Sequence, residues 1–271
     1  MKPHNHNLPF AKRSLGQNFL SDQRYIQRII DAAKPEFGDL IIEIGPGRGA
    51  ITESLVRSEA DVLAVELDND LIEPLRTRFS GNDNFRIVEG NILDLNLPQI
   101  IDDIYKQRTH LTRTKVVANL PYYISTAILQ KLASDKDYFE ALILMFQREV
   151  VDRITAKPGR SERGYLTVLV EASFDVEKLF DLPPEAFRPI PKVWSSVAKL
   201  SPKDTTIGDD ERFSTLVSIG FSQKRKTLLN NLKGVIENAE DTLRNAGIDL
   251  KARAETLTLE QWRKLTESTK T

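Results

Sequence analysis

The stretch Leu40-Ile41-Ile42-Glu43-Ile44-Gly45-Pro46-Gly47-Arg48-Gly49 decides the fold of this chain. It begins with an apolar run rich in β-branched residues, which is typical of a buried strand. Glycines then occupy alternate positions, and Ile51, Leu55 and Val56 resume at helical spacing. The pattern predicts a strand, a glycine loop and a helix whose first backbone N–H groups point at a ligand.

Strand and helix patterns alternate through the rest of the first half. Further apolar runs end at Glu66, Glu89, Asn119 and Phe146, and helical patterns separate most of them. This alternation predicts a parallel sheet with helices on both faces, in which ligands bind beyond the carboxyl ends of the strands.

The second half of the chain has a different pattern. Residues 174–182 and 193–200 indicate two strands around a proline-rich segment, and we expect an antiparallel hairpin with a tight connection at the sheet edge. After residue 202 only helical patterns remain. We therefore predict an α/β fold, with a sheet domain over residues 1–202 and a smaller all-α domain over 203–271.

Composition excludes several classes of function. The 38 Lys and Arg residues balance 39 Asp and Glu residues, so any nucleic-acid partner must be held by local basic stretches. The absence of cysteine excludes disulfides and zinc-thiolate sites. His4, His6 and His110 lie in polar sequence, and we expect no metal site. No apolar signal core or membrane-spanning run is present, which favours a cytoplasmic protein.

The glycine spacing distinguishes between two classes of cofactor. Gly45-x-Gly47-x-Gly49 differs from the G-x-G-x-x-G pattern of dinucleotide binders. A sulfonium cofactor has no pyrophosphate, and its amino acid end requires close backbone and a nearby acid, which the Gly45 carbonyl and Glu43 supply. Glu66 follows the first glycine by about 20 residues, where a carboxylate commonly takes ribose hydroxyls. We expect S-adenosylmethionine in preference to a nicotinamide.

The segment Asn119-Leu120-Pro121-Tyr122, called the acceptor corner below, suggests which chemical group accepts the methyl. An amino group conjugated to a ring or carbonyl is a weak nucleophile, because its lone pair is delocalised. The Asn119 oxygen and a backbone carbonyl beside Pro121 would localise that lone pair by accepting both N–H groups, and Tyr122 would stack on the base. The tetrapeptide alone also fits a proline turn. Together with Gly45, Glu66 and Asn91 near other strand ends, it predicts a methyl-transfer site.

Several motifs carry a family resemblance. They are Leu15-Gly16-Gln17-Asn18-Phe19-Leu20, residues 43–49, Glu66-Leu67-Asp68, residues 119–122, Phe187-Arg188-Pro189-Ile190-Pro191-Lys192-Val193, residues 224–232 and Ala252-Arg253-Ala254-Glu255-Thr256-Leu257. On these motifs the chain resembles the small-subunit ribosomal RNA adenine dimethyltransferases, a family that includes the erythromycin-resistance rRNA methylases and mitochondrial transcription factor B. The resemblance runs through nearly the whole chain.

The resemblance implies a Rossmann-like class I S-adenosylmethionine-dependent methyltransferase sheet with helices on both faces. It implies transfer of methyl groups to the exocyclic N6 of two adjacent adenosines near the 3′ end of 16S rRNA. The implied partner is small-subunit rRNA in an immature ribosomal subunit, bound by a monomer.

The resemblance also implies roles for individual residues. The acceptor set is Asn119, Pro121, Tyr122 and, as a second stacking face, Phe187. The cofactor-binding set is Gln17, Asn18, Leu20, Glu43, Gly45, Gly47, Glu66, Leu67, Asn91, Ile92 and Asn119.

Three positions depart from the family pattern. Asn91 stands where an Asp normally accepts from the cofactor's adenine amino group, so we expect weaker cofactor binding because the oxygen carries no charge. Tyr123 replaces a common Asn, and Trp194 replaces a common Asp.

Basic stretches give candidate RNA contacts at Lys12-Arg13, residues 108–115, residues 160–163 and Lys224-Arg225-Lys226. Other functions remain open. They are methylation of a glutamine amide, methylation of large-subunit rRNA, a non-catalytic RNA-binding role in ribosome assembly and, less favoured by the glycine spacing, a nicotinamide oxidoreductase.

Overall fold

The computed structural model describes residues 11–12, 15–205, 207 and 210–269. His4, His6 and Arg13 lie outside this range. The strands are β1 (Phe19–Leu20), β2 (Asp39–Ile44), β3 (Asp61–Glu66), β4 (Phe85–Glu89), β5 (Arg113–Asn119), β6 (Ala141–Gln147), β7 (Phe174–Leu182), β8 (Phe187–Arg188) and β9 (Ser195–Pro202).

Eleven α-helices lie between and after these strands in the described residues. They are α1 (Gln23–Ala33), α2 (Ala50–Val56), α3 (Asn69–Phe79), α4 (Leu97–Gln107), α5 (Ser125–Ser134), α6 (Arg148–Ile154), α7 (Tyr165–Ser173), α8 (Glu211–Phe221), α9 (Leu228–Leu232), α10 (Ala239–Asn245) and α11 (Leu259–Ser268).

A seven-stranded sheet in the order β4-β3-β2-β5-β6-β9-β7 forms the centre of the fold. The strands from β4 to β6 run parallel, and β9 pairs with β6 antiparallel. Chain order reverses between β2 and β5, which makes the crevice beyond their carboxyl ends the expected ligand site of such a sheet.

The central strands are buried on both faces. Every residue of β2 and β3 is buried, including both the odd and the even positions. Because successive side chains of a strand point to opposite faces, helices must cover both sides of the sheet. The predicted α/β sheet is confirmed.

The two late strands are neighbours at the sheet edge, as predicted, but their connection is not tight. Residues 183–194 contain a short 3₁₀ helix, Pro184–Ala186, and β8. Strand β8 pairs antiparallel with β1, so that Phe187 lies opposite Leu20. The connection is long because it forms a second, two-stranded sheet with the N-terminal segment.

The chain divides into two compact units. Among the described residues, unit 1 contains those up to 131, 137–148 and 178–200, and unit 2 contains 132–136, 149–177 and those from 201 onward. Unit 2 has an apolar core of α7 to α11 around the fully buried Trp262. It extends beyond the predicted 203–271 because Val168 and Ala172 of α7 belong to that core.

Among the residues that the structure describes, no helix is long and apolar enough to cross a membrane.

Candidate functional site

A cavity of about 770 Å³, counting its open mouth, lies at the carboxyl ends of the parallel strands. Each of four strand ends contributes to its wall: Ile44 and Gly45 after β2, Val65 and Glu66 of β3, Gly90 and Asn91 after β4, and Asn119 of β5. The cavity therefore occupies the crevice where strand order reverses. The predicted residues that line it are Gln17, Asn18, Gly45, Gly47, Glu66, Leu67, Asn91, Ile92, Asn119, Pro121 and Tyr122.

The glycine loop brings bare backbone to the cavity. Gly45 has φ +68°, and a Cβ added there would meet no atom within 4 Å, so this side of the residue faces open space. Gly47 has φ +57°, and a Cβ there would lie 2.8 Å from Cδ1 of Phe19. Any side chain at either position would be strained, and at Gly47 it would also clash with the segment that lines the cavity.

Glu66 is fixed by the backbone around it. Its Oε1 accepts from the N–H groups of Leu67 and Asp68, both at 2.9 Å, and its Oε2 accepts from Gly47 N–H at 3.1 Å. Burial raises the pKa of Glu66, although these three donors oppose the shift. A carboxylate has about four acceptor positions, so Oε2 retains capacity for a ligand hydroxyl.

Glu43 is an acid buried beneath the same loop. Burial raises the pKa of Glu43 to about 8, hydrogen bonding with Thr52 opposes this, and the nearby Glu66 adds to it. Its Oε2 atom has no hydrogen-bond partner among the described residues. Glu43 does not line the cavity. The glycine loop would therefore separate its carboxyl group from a cationic ligand bound there.

The amide of Asn119 is held in one orientation. Its Nδ2 donates to the backbone carbonyl of Asn18 at 3.0 Å. Because a carbonyl can only accept, the nitrogen must face Asn18, and Oδ1 is the atom that remains to accept from a ligand. The predicted acceptor atom is thus oriented before any substrate arrives.

The residues after Asn119 complete the corner. The Leu120 N–H donates to the Met145 carbonyl at 3.2 Å, and the Pro121 carbonyl accepts from Ile124 N–H at 3.2 Å. The Leu120 carbonyl is therefore the candidate second acceptor beside Pro121. The Tyr122 hydroxyl lies 2.8 Å from Ser195 Oγ, which fixes the ring, and burial raises the pKa of that hydroxyl.

The side chain of Asn91 is hydrogen-bonded to the residues that follow it in the same turn. Its Oδ1 accepts from Leu93 N–H at 3.2 Å, and its Nδ2 donates to Asp94 Oδ2 at 2.9 Å. The oxygen can accept one further bond, from a ligand amino group.

A clasp formed by Lys12, Gln17 and Asp68 holds the N-terminal segment against the cavity. The buried carboxylate of Asp68 accepts from Lys12 Nζ at 2.5 Å and from Gln17 Nε2 at 2.7 Å, and it also caps α3 through Asp70 N–H. These contacts lower the pKa of Asp68 against the effect of burial. The segment therefore contacts both Asp68, two residues after Glu66, and Asn119.

Leu20 and Phe187 do not line the cavity. They pair across β1 and β8, and the ring of Phe187 is fully buried in the core of unit 1. The expectation that Phe187 presents a stacking face to the target base is therefore wrong for this conformation, because that face is occupied by core side chains.

Other residues of the cavity wall lie outside the predicted catalytic and cofactor-binding sets. They are Leu15, Gly16, Phe19, Ile44, Val65, Gly90, Leu120, Tyr123, Ile124 and Ile128. Ile44, Val65, Gly90 and Leu120 are chain neighbours of predicted residues, so the strand-end argument extends to them. Ile124 directly precedes α5 and Ile128 lies within it. Both are apolar, and no sequence signal separates them from core positions.

The basic stretches have different environments. Lys115 is only 5% exposed and lies 2.7 Å from Asp39, and Arg108 lies 3.5 Å from Asp61. Both acids begin strands, at the edge opposite the cavity. Residues 108–115 thus brace the sheet, and the predicted RNA contact is not supported there.

In unit 2, Arg163 is buried and paired with Glu171 at 2.5 Å. By contrast, Lys224 Nζ donates to the carbonyl of Ser161, which joins two distant stretches into one exposed basic patch. The basic patch consists of Arg160, Lys224, Arg225 and Lys226.

Among the described residues, no cluster of His, Asp and Glu side chains could hold a metal ion.

Comparison with known proteins agrees with this geometry. A protein of Geobacter sulfurreducens named ribosomal RNA small subunit methyltransferase A is 40% identical over 265 residues, which cover 95% of this chain and 94% of that protein. The crystal structure of a dimethyladenosine transferase from Plasmodium falciparum has a TM-score of 0.76 and 27% identity, over 91% of this chain and 95% of that one. The 23S rRNA methyltransferase ErmE has a TM-score of 0.69 and 25% identity, over 94% and 100%.

These similarities confirm the Rossmann-like methyltransferase fold. The family described as ribosomal RNA adenine dimethylase matches residues 10–271. The chain belongs to the ribosomal RNA adenine dimethylase family.

Proposed function

We infer that this enzyme dimethylates N6 of two adjacent adenosines near the 3′ end of 16S rRNA, with S-adenosylmethionine as methyl donor. The observation that carries this function is the fixed amide of Asn119, whose oxygen is left to accept at the end of a cavity that Glu66 and the glycine loop also line. The small-subunit target is supported by the relative that shares 40% identity over nearly the whole chain.

The cavity fits S-adenosylmethionine by the chemistry of its wall. Bare backbone at Gly45 suits the amino acid end, the remaining acceptor position of Glu66 suits a ribose hydroxyl, and Asn91 suits the adenine amino group. Gln17, Asn18, Leu67 and Ile92 complete the proposed cofactor wall. When bound, the cofactor supplies an electrophilic methyl group.

The residues of the acceptor corner prepare the target nitrogen. Before the first transfer Asn119 Oδ1 and the Leu120 carbonyl accept its two N–H groups, and before the second transfer one N–H remains for one of them. These hydrogen bonds draw the lone pair out of the ring and stabilise the positive charge that develops. One proton leaves the nitrogen to solvent with each transfer. The ring of Tyr122, held by Ser195, stacks on the adenine after it leaves its own stack. Alignment and fixed acceptors supply the rate enhancement, and no covalent enzyme intermediate is required.

The proposed setting is the bacterial cytoplasm, where the protein acts as a monomer on immature small subunits. The exposed basic patch of unit 2 supports an RNA partner.

Replacement of Asn119 by Ala tests the assignment. We expect loss of nearly all methylation of undermethylated small subunits, because the oriented acceptor is removed, while cofactor binding is partly retained. Labelled S-adenosylmethionine followed by mapping of the modified nucleosides measures both the yield and the target.

An Asn119→Ala variant with near wild-type turnover would refute this role. Label recovered in protein would favour a glutamine amide as target, and label in large-subunit RNA would redirect the substrate. No label, together with retained binding to subunits, would favour a non-catalytic assembly factor.

A further inference from the structure

An exposed indole stands beside the acceptor corner without a part in the chemistry proposed above. Trp194 is 43% exposed. The next residue, Ser195, is fully buried and bonds the Tyr122 hydroxyl at 2.8 Å. The backbone of Trp194 is therefore anchored directly next to the residue that fixes the ring of Tyr122.

Arg148 fixes the indole from the other side. Its backbone N–H donates to the Trp194 carbonyl at 2.9 Å, and its guanidinium carbon lies 5.6 Å from the centre of the indole ring. Arg148 follows the end of β6, and in the parallel pair of β5 and β6 Asn119 lies opposite Met145. The cation and the indole thus stand at the same sheet edge as Asn119, one strand away.

The surroundings of Trp194 combine apolar and cationic side chains. Ile190 and Val193 are exposed in the same connection, and Lys192 is exposed between them. Alternation of this kind does not give the continuous apolar patch typical of a protein interface. A flat aromatic ring beside a cation is the arrangement that binds single-stranded nucleic acid, because the base stacks on the ring and the cation attracts the phosphate.

We propose that Trp194, together with Arg148, is a stacking platform for the nucleotide next to the target adenosine in single-stranded RNA. This platform rests on the proposed function. When the target base enters the cavity, its neighbour loses one stacking partner, and the indole replaces that partner. The platform selects for unpaired RNA flanking the target and does not take part in methyl transfer.

Fluorescence gives a direct test, because the chain has only two tryptophans and Trp262 is fully buried in unit 2. A base stacked on Trp194 quenches its emission. We expect a short single-stranded oligoadenylate to quench the wild-type protein, with the quenching lost in Trp194→Phe and kept in the matched control Phe37→Ala. Equal quenching in wild type and Trp194→Phe, or none in either, would overturn the platform.

Kinetics give a second test that separates the platform from the chemistry. We expect Trp194→Ala to raise the KM for undermethylated subunits about tenfold, with the KM for S-adenosylmethionine unchanged, and Trp194→Phe to recover most of the loss. Phe37 is 65% exposed and stacks on His110 beside the first residue of β2, so Phe37→Ala controls for loss of a surface ring far from the site.

The outcomes distinguish the two proposals. Full methylation by wild type with an unchanged KM in Trp194→Ala would overturn the platform and leave the proposed function in place. A wild-type protein that methylates no RNA would overturn the proposed function and, with it, a platform for the nucleotide next to a target adenosine.

Discussion

At the scale of single residues, Glu43 carries a measurable cost for the site. Its folded pKa is raised by burial to about 8 from an ordinary value of 4.5. Between these values the unfolded chain is ionised at this position while the folded chain retains the proton. The contribution of Glu43 to stability is therefore fully present below about pH 4.5 and is lost as the pH rises towards 8.

We expect Glu43→Gln to reduce the fall in stability between about pH 5 and about pH 8. In the wild type the proton of Glu43 contributes up to about 1.4 kcal/mol per pH unit to the slope of the free energy of unfolding against pH. Urea unfolding across this range measures the difference between the two proteins. Glu89→Gln, at the exposed end of β4, is the matched control and should preserve the wild-type slope. Parallel slopes for wild type and Glu43→Gln would contradict the raised pKa.

Some site residues could be predicted from local sequence, and others could not because their roles depend on distant partners. Gly45, Glu66, Asn91 and Asn119 were predictable because strand ends of a parallel sheet meet at one edge. The burial of Phe187 was not, because it depends on pairing with Leu20 across more than half of the chain. Nor was the role of Asp68 as partner of both Lys12 and Gln17, since nothing in the local pattern separates it from an ordinary helix cap.

At the scale of elements, the contact between α8 and α11 depends on the absence of a side chain at Gly220. A Cβ added at Gly220 would lie 2.4 Å from Cη2 of Trp262 and 3.0 Å from Cδ1 of Leu228. The indole of Trp262 and the side chain of Leu228 are fully buried, so neither ring nor chain can move into solvent without opening the core.

We expect Gly220→Ala to destabilise unit 2 by about 1–2 kcal/mol, because overpacking outweighs the helix propensity of alanine. Thermal unfolding of both proteins in a Trp194→Phe background, followed by Trp262 fluorescence, measures this. Gly234→Ala is the control, since a Cβ there meets no atom within 4 Å, and it should leave stability unchanged or slightly higher. A Gly220→Ala protein as stable as wild type would show that the core adapts.

Element prediction succeeded where a single physical cause dominated. The long apolar runs of β2, β3, β5 and β6 reflect burial on both faces, and their pattern needs no partner to be recognised. Strands β1 and β8 each have two residues, too few for any periodicity, so only tertiary pairing defines them. For the same reason the connection between the late strands was expected to be shorter than it is.

At the scale of the whole molecule, a net charge of −1 conceals a local concentration of positive charge. The basic patch collects Arg160, Lys224, Arg225 and Lys226 on the surface of unit 2, with Glu162 in the same loop as the nearby acid. Attraction to RNA phosphates through such a patch is sensitive to salt, because bound counterions are released.

We expect the double variant Lys224→Gln, Arg225→Gln to bind small-subunit RNA more weakly and to lower the slope of log affinity against log salt by about 1.5. Filter binding at several salt concentrations measures the slope. Arg76→Gln with Lys106→Gln, which removes two exposed cations of unit 1 paired with Glu73 and Asp103, should keep the wild-type slope. Equal slopes for both double variants would exclude the patch from the RNA interface.

The clasp at Asp68 affects how many times the enzyme must bind the RNA to dimethylate one adenosine. Two methyl groups on one adenosine consume two cofactor molecules, and residues 15–19 line the cavity proposed to bind the cofactor. The same segment holds the Asn119 amide through the Asn18 carbonyl. If the segment moves away from the cavity during exchange, Asn119 loses the contact that orients its acceptor oxygen towards the base.

We therefore expect distributive kinetics, in which free RNA carrying N6-monomethyladenosine accumulates early and is converted into the dimethyl form by fresh enzyme. Dimethylated product without a monomethylated precursor in released RNA would indicate that the base stays bound while the cofactor is exchanged.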